Sequence, residues 1–171
     1  MPPPADVILI TGSMGAGKTT LLGEASDILA ALDVPHAAID LDALSLAHLA
    51  GGAPHDFMFM NLAMMCAHYT AAGISRFLVA GAIETAAELE RLKEVMRASR
   101  IMTCRLSAPL AVMERRVATR ERGIAAHRYV ARVAELERLL DRAHLEDVSL
   151  ANDGASVTDV ARQLLSAAGW V

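Results

Sequence analysis

The sequence predicts an α/β fold in which a parallel sheet is covered by helices on both faces. Short apolar runs typical of strands alternate along the chain with longer segments whose apolar residues recur at helical spacing. The strand-like runs are DVILI (6–10), HAAID (36–40), RFLVAG (76–81), RIMTCRL (100–106) and DVSLA (147–151). No repeat or linker divides the 171 residues. We therefore expect a single domain over 1–171 with an ordered core over 5–171.

The helical segments carry recognisable start signals. The segment directly after the first turn repeats apolar residues at helical spacing. Thr85 and Glu88 have capping-box spacing at the head of a predicted helix over 86–99. Ser156 and Asp159 have a looser version of the same spacing and head the last helix. These signals place a helix between successive strands, as a parallel sheet requires.

The overall charge argues against broad anionic partners. A net charge of -4 and a pI of about 5.8 are unfavourable for a surface that binds nucleic acid or an anionic membrane. The N-terminus predicts no signal peptide, and no apolar run is long enough to span a membrane. Cys66 and Cys104 lie in apolar settings without CxxC spacing, which favours reduced core residues in a cytoplasmic protein. We expect no nucleic-acid or membrane partner, and a monomer or homodimer.

The clearest motif follows the first strand, where residues 11–20 read TGSMGAGKTT. They match the spacing G-x-x-x-x-G-K-[ST], in which glycines curl the backbone so that its N–H groups and the next helix N-terminus bind phosphates. The lysine reaches the outer phosphates, and the threonine hydroxyl ligates Mg²⁺. The predicted nucleotide-binding residues are Gly12, Ser13, Met14, Gly15, Ala16, Gly17, Lys18, Thr19 and Thr20, with Lys18 also catalytic and Thr19 also a metal ligand.

This phosphate-binding loop (P-loop) specifies a nucleoside triphosphate but not the reaction. Of the 16 basic residues only Lys18 and Lys93 are lysines, so a compact ammonium lies where the motif needs one. The base-reading N-K-x-D of GTPases is absent, which favours ATP. Many ATPases carry an acidic residue at the end of an apolar strand, whereas the third strand here delivers Gly81 and Ala82. This difference weakens the ATPase interpretation.

Two carboxylates follow the second strand-like run. Asp40 and Asp42 emerge at the carboxyl end of a predicted strand over 36–40, the edge at which parallel sheets bind ligands. Asp40 is a candidate to hold Mg²⁺ through water. Asp42 is a catalytic and substrate-binding candidate that orients or deprotonates an acceptor hydroxyl. The alternative is that Asp42 caps a following helix over 43–50.

Together, the P-loop, the D-x-D after strand two and an arginine-rich segment after strand four resemble the small P-loop kinases. This group includes adenylylsulfate kinase, gluconate kinase, shikimate kinase and chloramphenicol phosphotransferase. The resemblance covers essentially the whole chain and implies a three-layer P-loop NTPase fold, a five-stranded parallel sheet in the order 2-3-1-4-5 and a helical lid. It also implies transfer of the γ-phosphoryl of ATP to a small molecule. The GGG substrate loop of shikimate kinase and the aromatic pocket of adenylylsulfate kinase are absent. The sequence therefore does not identify the acceptor molecule.

A charge-rich stretch over 109–144 predicts the lid and the helix that follows it. Arg116 and Arg120 are four residues apart, so a helix sets both on one face, where like charges repel unless an anion lies between them. Their spacing resembles the lid arginines of those kinases, which implies catalytic contact with ATP and with the transferring phosphoryl group. The alternative is a solvated helix. Arg128 and Arg132 are weaker lid candidates.

Residues predicted to contact the adenine base or the phosphoryl acceptor are identified by their position after particular strands. Asn152, Asp153 and Gly154 follow the last strand, where the resemblance implies backbone along the adenine ring and an ordinary turn is the alternative. Asn61 and Glu84 are the polar candidates for the acceptor.

The acceptor segment itself, 51–73, is rich in Met and Phe and contains no arginine. Most of these apolar residues are expected in the core, while the others suit the wall of a small-molecule site. The missing arginine ranks a nucleoside monophosphate kinase low. We therefore expect a Mg²⁺-dependent kinase that uses ATP to phosphorylate a hydroxyl of a small molecule. The alternative is an ATP-binding regulatory module or slow ATPase without such an acceptor.

Overall fold

The computed structural model describes residues 4–46, 54–124 and 126–171. Its strands are β1 (Ala5–Thr11), β2 (Ala37–Asp40), β3 (Arg76–Ala80), β4 (Ala98–Ser107) and β5 (Val148–Ala151). Its helices are α1 (Lys18–Ala31), α2 (Pro54–Ala71), α3 (Ala86–Met96), α4 (Leu110–Arg120), α5 (Ala126–Ala143) and α6 (Val157–Ala168), with a short 3₁₀ helix (Leu41–Ser45) after β2. Residues 1–3, 47–53 and 125 of the predicted domain lie outside the described residues, and 51–53 belong to the predicted acceptor segment.

The strands form one parallel sheet in the order β2-β3-β1-β4-β5. This order confirms the predicted fold class and topology. Asp40 at the end of β2 lies opposite Ala80 of β3, and Thr11 at the end of β1 lies opposite Arg105 of β4. Because the strands run the same way, their carboxyl ends meet along one edge, beside the P-loop. This edge is where a ligand site is expected.

Alternate residues of the central strand β1 pack on opposite faces of the sheet. Ile8 and Ile10 join a core with residues of α1 and α6, whereas Val7 and Leu9 join a core with residues of α2 and α3. All four side chains are fully buried. Because both faces of the sheet are apolar and covered by helices, the predicted three-layer architecture is confirmed.

Two helix starts form as their sequences predict. The Thr85 hydroxyl accepts from the backbone N–H of Glu88, whose carboxylate accepts from the backbone N–H of Thr85, so the capping box is complete. The Ser156 hydroxyl accepts from the backbone N–H of Asp159 at 3.1 Å. Local capping chemistry therefore determines where α3 and α6 begin.

The end of α3 differs from the prediction. The helical pattern reads to Ser99, but α3 ends at Met96 because Arg97 adopts a left-handed conformation with φ of 51°. β4 begins at Ala98 and pairs with β1 from its first residue. Sheet pairing therefore overrides the helical pattern over the last residues.

Two composition-based expectations can be compared with the structure. In the described ranges, no helix is long and apolar enough to cross a membrane. Cys66 and Cys104 are free thiols in the core, as predicted. Burial raises the pKa of Cys66 to about 11 and that of Cys104 to about 12. Both thiols therefore stay protonated at neutral pH.

Candidate active site

The P-loop connects β1 to α1 and packs closely against two other segments. Gly15 has φ of 79° and Gly17 has φ of 101°, a region that other residues avoid. A Cβ on Gly15 would lie 2.5 Å from the carbonyl oxygen of Met113 in α4, and a Cβ on Gly17 would meet the side-chain amide of Asn152. Both conformation and space therefore require glycine at these positions.

Two side chains brace the P-loop from outside. Asn152 donates from Nδ2 to the carbonyl oxygen of Ala16 at 2.7 Å. Arg116 donates to the carbonyl oxygens of Gly15 at 3.1 Å and of Asn152 at 3.2 Å. Because the C=O and N–H of one peptide unit point in opposite directions, the N–H of Gly17 points away from Asn152 and into the loop. These hydrogen bonds thus orient a backbone N–H donor of the P-loop toward the position where a phosphate would bind.

A third contact ties the P-loop to α5. Ser13 is fully buried, and its Oγ donates to the carbonyl oxygen of Val133 at 2.9 Å. The two residues are far apart in sequence, so the motif alone does not reveal this bond. It fixes the first half of α5 beside the candidate site.

Lys18 lies where charged groups from several elements meet. Its Nζ donates to two backbone carbonyl oxygens of the P-loop, at 2.9 and 3.1 Å. Burial lowers the pKa of Lys18, the nearby Asp42 and Asp40 oppose that shift, and Arg120 adds to it. The charges of Asp40, Asp42 and Arg120 therefore act on Lys18, and the roles of these four residues in phosphoryl transfer stay predictions.

The predicted metal ligands are in contact. Thr19 donates from Oγ1 to Oδ2 of Asp40 at 2.8 Å. A hydroxyl and a carboxylate are hard oxygen ligands of the kind Mg²⁺ prefers. Among the described residues, no group of three or more His, Cys, Asp or Glu side chains is placed to hold a metal. The pair therefore fits an ion that brings water and phosphate oxygens as its other ligands.

The cap after β2 is Asp40 rather than Asp42. Oδ1 of Asp40 accepts from the backbone N–H of Asp42 at 3.0 Å, at the start of the 3₁₀ helix (Leu41–Ser45). Asp42 lies in the first turn of that helix with an exposed side chain. The interpretation of Asp42 as a cap is therefore wrong, because the residue before the turn is the one with capping geometry. Residues 47–50 of the predicted helix lie outside the described residues.

Arg116 and Arg120 have different surroundings, although they share a helix. Arg120 pairs through Nε with Oε1 of Glu121 at 2.8 Å and is close enough to Lys18 to affect its pKa. Arg116 instead lies against the P-loop backbone and Asn152. Phosphate contact by either arginine stays a prediction.

The remaining base candidates, Asp153 and Gly154, follow Asn152 in an exposed turn. Gly154 has φ of 83°, as a turn glycine commonly does. Contact with a base by these two residues stays a prediction, whereas Asn152 is fixed against the P-loop.

The two polar residues predicted to bind the phosphoryl acceptor each make a hydrogen bond to another part of the protein. Asn61 donates from Nδ2 to the carbonyl oxygen of Leu44 at 2.8 Å, which ties α2 to the 3₁₀ helix after β2. Oε1 of Glu84 accepts from Nη2 of Arg132 at 2.6 Å. These bonds place both candidates beside the exits of β2 and β3, and their roles toward an acceptor stay predictions.

The apolar residues of α2 divide between core and surface. Met58 and Phe59 are buried, as expected, but Phe57, Met60 and Met64 are exposed. Helical spacing places these two sets on different faces of α2. The sequence expectation that most of these Met and Phe side chains are core is therefore wrong, because only one face of α2 packs on the sheet.

A buried ion pair behind the P-loop was not predicted. Arg105 near the end of β4 pairs with Glu137 at 2.9 Å and with Asp141 at 2.7 Å. Within the described residues, the Nε of Arg105 and Oε1 of Glu137 have no hydrogen-bond partner. A signal is present in the sequence, because an arginine within an apolar strand needs carboxylate partners and Glu137 and Asp141 are four residues apart on one helix.

Comparison with known proteins supports the fold. No family model and no curated protein matches the chain. APS kinase of Mycobacterium tuberculosis, in complex with AMPPNP and APS, has a TM-score of 0.66 at 18% identity, over 96% of this chain and 98% of that chain. The tunicamycin resistance protein of Deinococcus radiodurans has a TM-score of 0.65 at 19% identity, over 98% of this chain and 97% of that chain.

Shikimate kinase of Acinetobacter baumannii, in complex with shikimate, has a TM-score of 0.64 at 16% identity, over 95% of this chain and 92% of that chain. At such identities the likeness establishes the fold. The predicted resemblance to small P-loop kinases is confirmed at that level, over nearly the full length of the chain.

Proposed function

We propose that this protein is a kinase that transfers the γ-phosphoryl of ATP to a hydroxyl of a small molecule. The observation that carries the proposal is the arrangement beside Lys18: Thr19 contacts Asp40 at 2.8 Å, and Asp40 caps the turn that carries Asp42. The charges of Asp42, Asp40 and Arg120 all act on the pKa of Lys18. Cations suit the charge that develops on the transferring phosphoryl group, and a carboxylate suits an attacking hydroxyl. No single element contributes both kinds of group.

The binding of ATP follows from the P-loop. The triphosphate lies on the backbone N–H groups and the N-terminus of α1, and Lys18 turns from its two backbone carbonyls toward the outer phosphates. Asp40 and Asp42 favour the ammonium form of Lys18 against the effect of burial. Asn152 and Arg116 brace the outer side of the loop, and in this proposal the base of the nucleotide binds beside them.

Thr19 and Asp40 hold the metal in this proposal. A bound Mg²⁺ would neutralise phosphate charge, and water and phosphate oxygens would supply its other ligands. Asp40 therefore has two tasks, because its other oxygen caps the turn that carries Asp42. The same cap positions Asp42 relative to the metal ligand.

Asp42 acts on the acceptor. Its carboxylate accepts the hydroxyl proton while the hydroxyl oxygen forms a bond to the γ-phosphorus. The bond between that phosphorus and the β,γ-bridging oxygen breaks, and ADP leaves with the electron pair. Arg120 and Lys18 stabilise the charge on the group in transit.

A screen of hydroxylated metabolites and of aminoglycoside-like and phenicol-like antibiotics tests the proposal. The assay measures ADP release and transfer of label from γ-labelled ATP, with the variant Lys18→Ala as the blank. We expect acceptor-dependent labelling that Lys18→Ala loses. Nucleotide-dependent binding to a protein partner without any labelled small molecule would instead support the regulatory-module alternative.

A further inference from the structure

The acceptor side of the site is bounded by the residues that follow β2 and β3. These strands pair up to their last residues, and a Cβ on Gly81 would come within 2.8 Å of Cβ of Leu41. The chain therefore leaves both strands in close contact. Asp42 follows one strand and Glu84 the other, so both residues lie at the same edge of the sheet, which we call the acceptor rim.

The segments that follow β2 and β3 supply no permanent cation of their own, whereas Lys18 and Arg120 come from α1 and α4. There is no lysine or arginine between Lys18 and Arg76, a stretch that includes Asp40 and Asp42. Residues 81–88, which follow β3, also contain neither. An anionic acceptor therefore finds carboxylates on this side and must obtain its cation from another element.

Arginines on two neighbouring helices are already paired with carboxylates. Arg132 of α5 donates to Glu84 at 2.6 Å and to Glu135 at 3.0 Å, and hydrogen bonds to both raise its pKa. Arg91 of α3 pairs with Asp56 at 2.8 Å. An anionic acceptor would have to displace a carboxylate from one of these arginines. Like charges placed together in a site disfavour such binding.

Glu84 has capacity for a further hydrogen bond. Its Oε1 accepts from Arg132, and Oε2 has no hydrogen-bond partner within the described residues. A carboxylate accepts several hydrogen bonds, and one from an ammonium is charge-assisted and strong. The carboxylate of Asp42, which is exposed and likewise without a side-chain partner among the described residues, is left for the hydroxyl.

We propose that the acceptor is a hydroxyl compound that bears a protonated amine, and that Glu84 binds the amine while Asp42 faces the hydroxyl. The inference rests on the kinase function proposed above and adds the charge of the acceptor. Arg132 pairs with Glu84 and with Glu135, so in this proposal it competes with the amine for Glu84 and does not bind the acceptor.

Binding to the full chain with Mg²⁺ and AMPPNP tests the proposal. The probes are two sets matched in size but not in charge: glucosamine, glucose and glucuronate, and ethanolamine, ethylene glycol and glycolate. Calorimetry gives the Kd of each. We expect the amine of at least one set to bind about tenfold or more tightly than its carboxylate counterpart, as a charge-assisted hydrogen bond provides.

Variants with matched controls identify the groups responsible. Glu84→Gln abolishes the preference for the amine, whereas Glu90→Gln, an exposed change on α3, preserves it. Arg132→Gln leaves amine binding unchanged or tighter, because Glu84 loses a competing cation, and Arg138→Gln on the same helix is its control. Equal or tighter binding of the carboxylates, no binding of any amine, or loss of amine binding in Arg132→Gln overturns the proposal.

Labelled ATP separates this inference from the kinase function. Binding of amines without transfer of label contradicts the kinase function and leaves the charge preference standing. Transfer of label to glucuronate or glycolate in preference to the amines supports the kinase function. It overturns the proposal that the acceptor bears a protonated amine.

Discussion

The nucleotide side and the acceptor side of the proposed site are built in different ways. On the nucleotide side, backbone groups of the P-loop are held by Asn152, Arg116 and Ser13 through bonds of 2.7 to 3.2 Å. On the acceptor side, carboxylates stand on short exits from β2 and β3, joined to the rest by Asn61 and Arg132. The nucleotide side therefore presents backbone groups held in place by hydrogen bonds, and the acceptor side presents side chains.

This difference explains what each side can recognise. A braced backbone presents N–H donors that suit any polyphosphate, so the same loop serves many reactions. Side chains on strand exits can change without disturbing the sheet, so they are where specificity for an acceptor resides. Changes on the two sides should therefore separate nucleotide binding from acceptor chemistry.

The largest expected effect is on the acceptor side, at Asp42. Asp42→Asn removes the proton acceptor, and we expect a loss of about 10²–10⁴-fold in kcat for phosphoryl transfer. The Kd of ATP should stay within a few-fold, because the P-loop is untouched. Steady-state kinetics and nucleotide titration measure the two quantities. Full transfer activity in this variant would remove the proposed role of Asp42.

On the nucleotide side, the sharpest change is Gly15→Ala. The new Cβ meets the carbonyl oxygen of Met113 in a backbone conformation with φ of 79°. We expect a loss of more than about 1 kcal/mol in the free energy of unfolding, together with weaker ATP binding. Gly23→Ala is the control, because its Cβ meets nothing within 4 Å in α1 and should stabilise by about 0.5–1 kcal/mol. Similar destabilisation by both changes would contradict the close packing of the loop.

A smaller effect is expected at the tie between α2 and the 3₁₀ helix. Asn61→Ala removes the bond to the carbonyl oxygen of Leu44, and we expect a loss of about 0.5–1.5 kcal/mol in the free energy of unfolding. The KM for the acceptor should rise while the Kd of ATP is unchanged. Met60→Ala, an exposed neighbour, is the control. A change in ATP affinity would show that the two sides are not separate.

The smallest effect concerns the thiols, one on each side. Alkylation at pH 8 should modify Cys66 of α2 before Cys104 of β4, because Cys104 is fully buried and burial raises the pKa of both thiols. Peptide mapping after iodoacetamide treatment gives the order, and the reverse order contradicts the burial pattern.

The same shifts give a pH dependence of stability. The unfolded chain loses these protons first, near the ordinary pKa of 9.0. Their contribution to stability is therefore intact below that pH and is lost as the pH rises toward 11 and 12.

Much of the fold and of the P-loop conformation could be predicted because local rules determine them. Apolar alternation gives β1, the capping box gives the start of α3, and the motif spacing gives the conformation of the loop from Gly12 to Thr19. These features depend on neighbours in sequence. The end of α3 at Met96 was missed, because pairing of β4 with β1 decides it.

The parts that sequence did not reveal depend on contacts between distant residues. The bond from Ser13 to Val133, the buried pair of Arg105 with Glu137 and the separation of Arg116 from Arg120 all require the packing of α4 and α5 on the sheet edge. Helical spacing places the two α4 arginines on one face but does not say which neighbours each meets. For the same reason, the acceptor site is the least predictable part of the molecule.

The fate of the γ-phosphoryl group tests the central claim most directly. The wild-type chain is incubated with γ-labelled ATP, Mg²⁺ and candidate acceptors, and labelled products are separated from inorganic phosphate. The proposed function predicts a labelled phosphate ester whose formation requires both the acceptor and Asp42. Release of the label only as inorganic phosphate, at a rate that no hydroxyl compound changes, would contradict it.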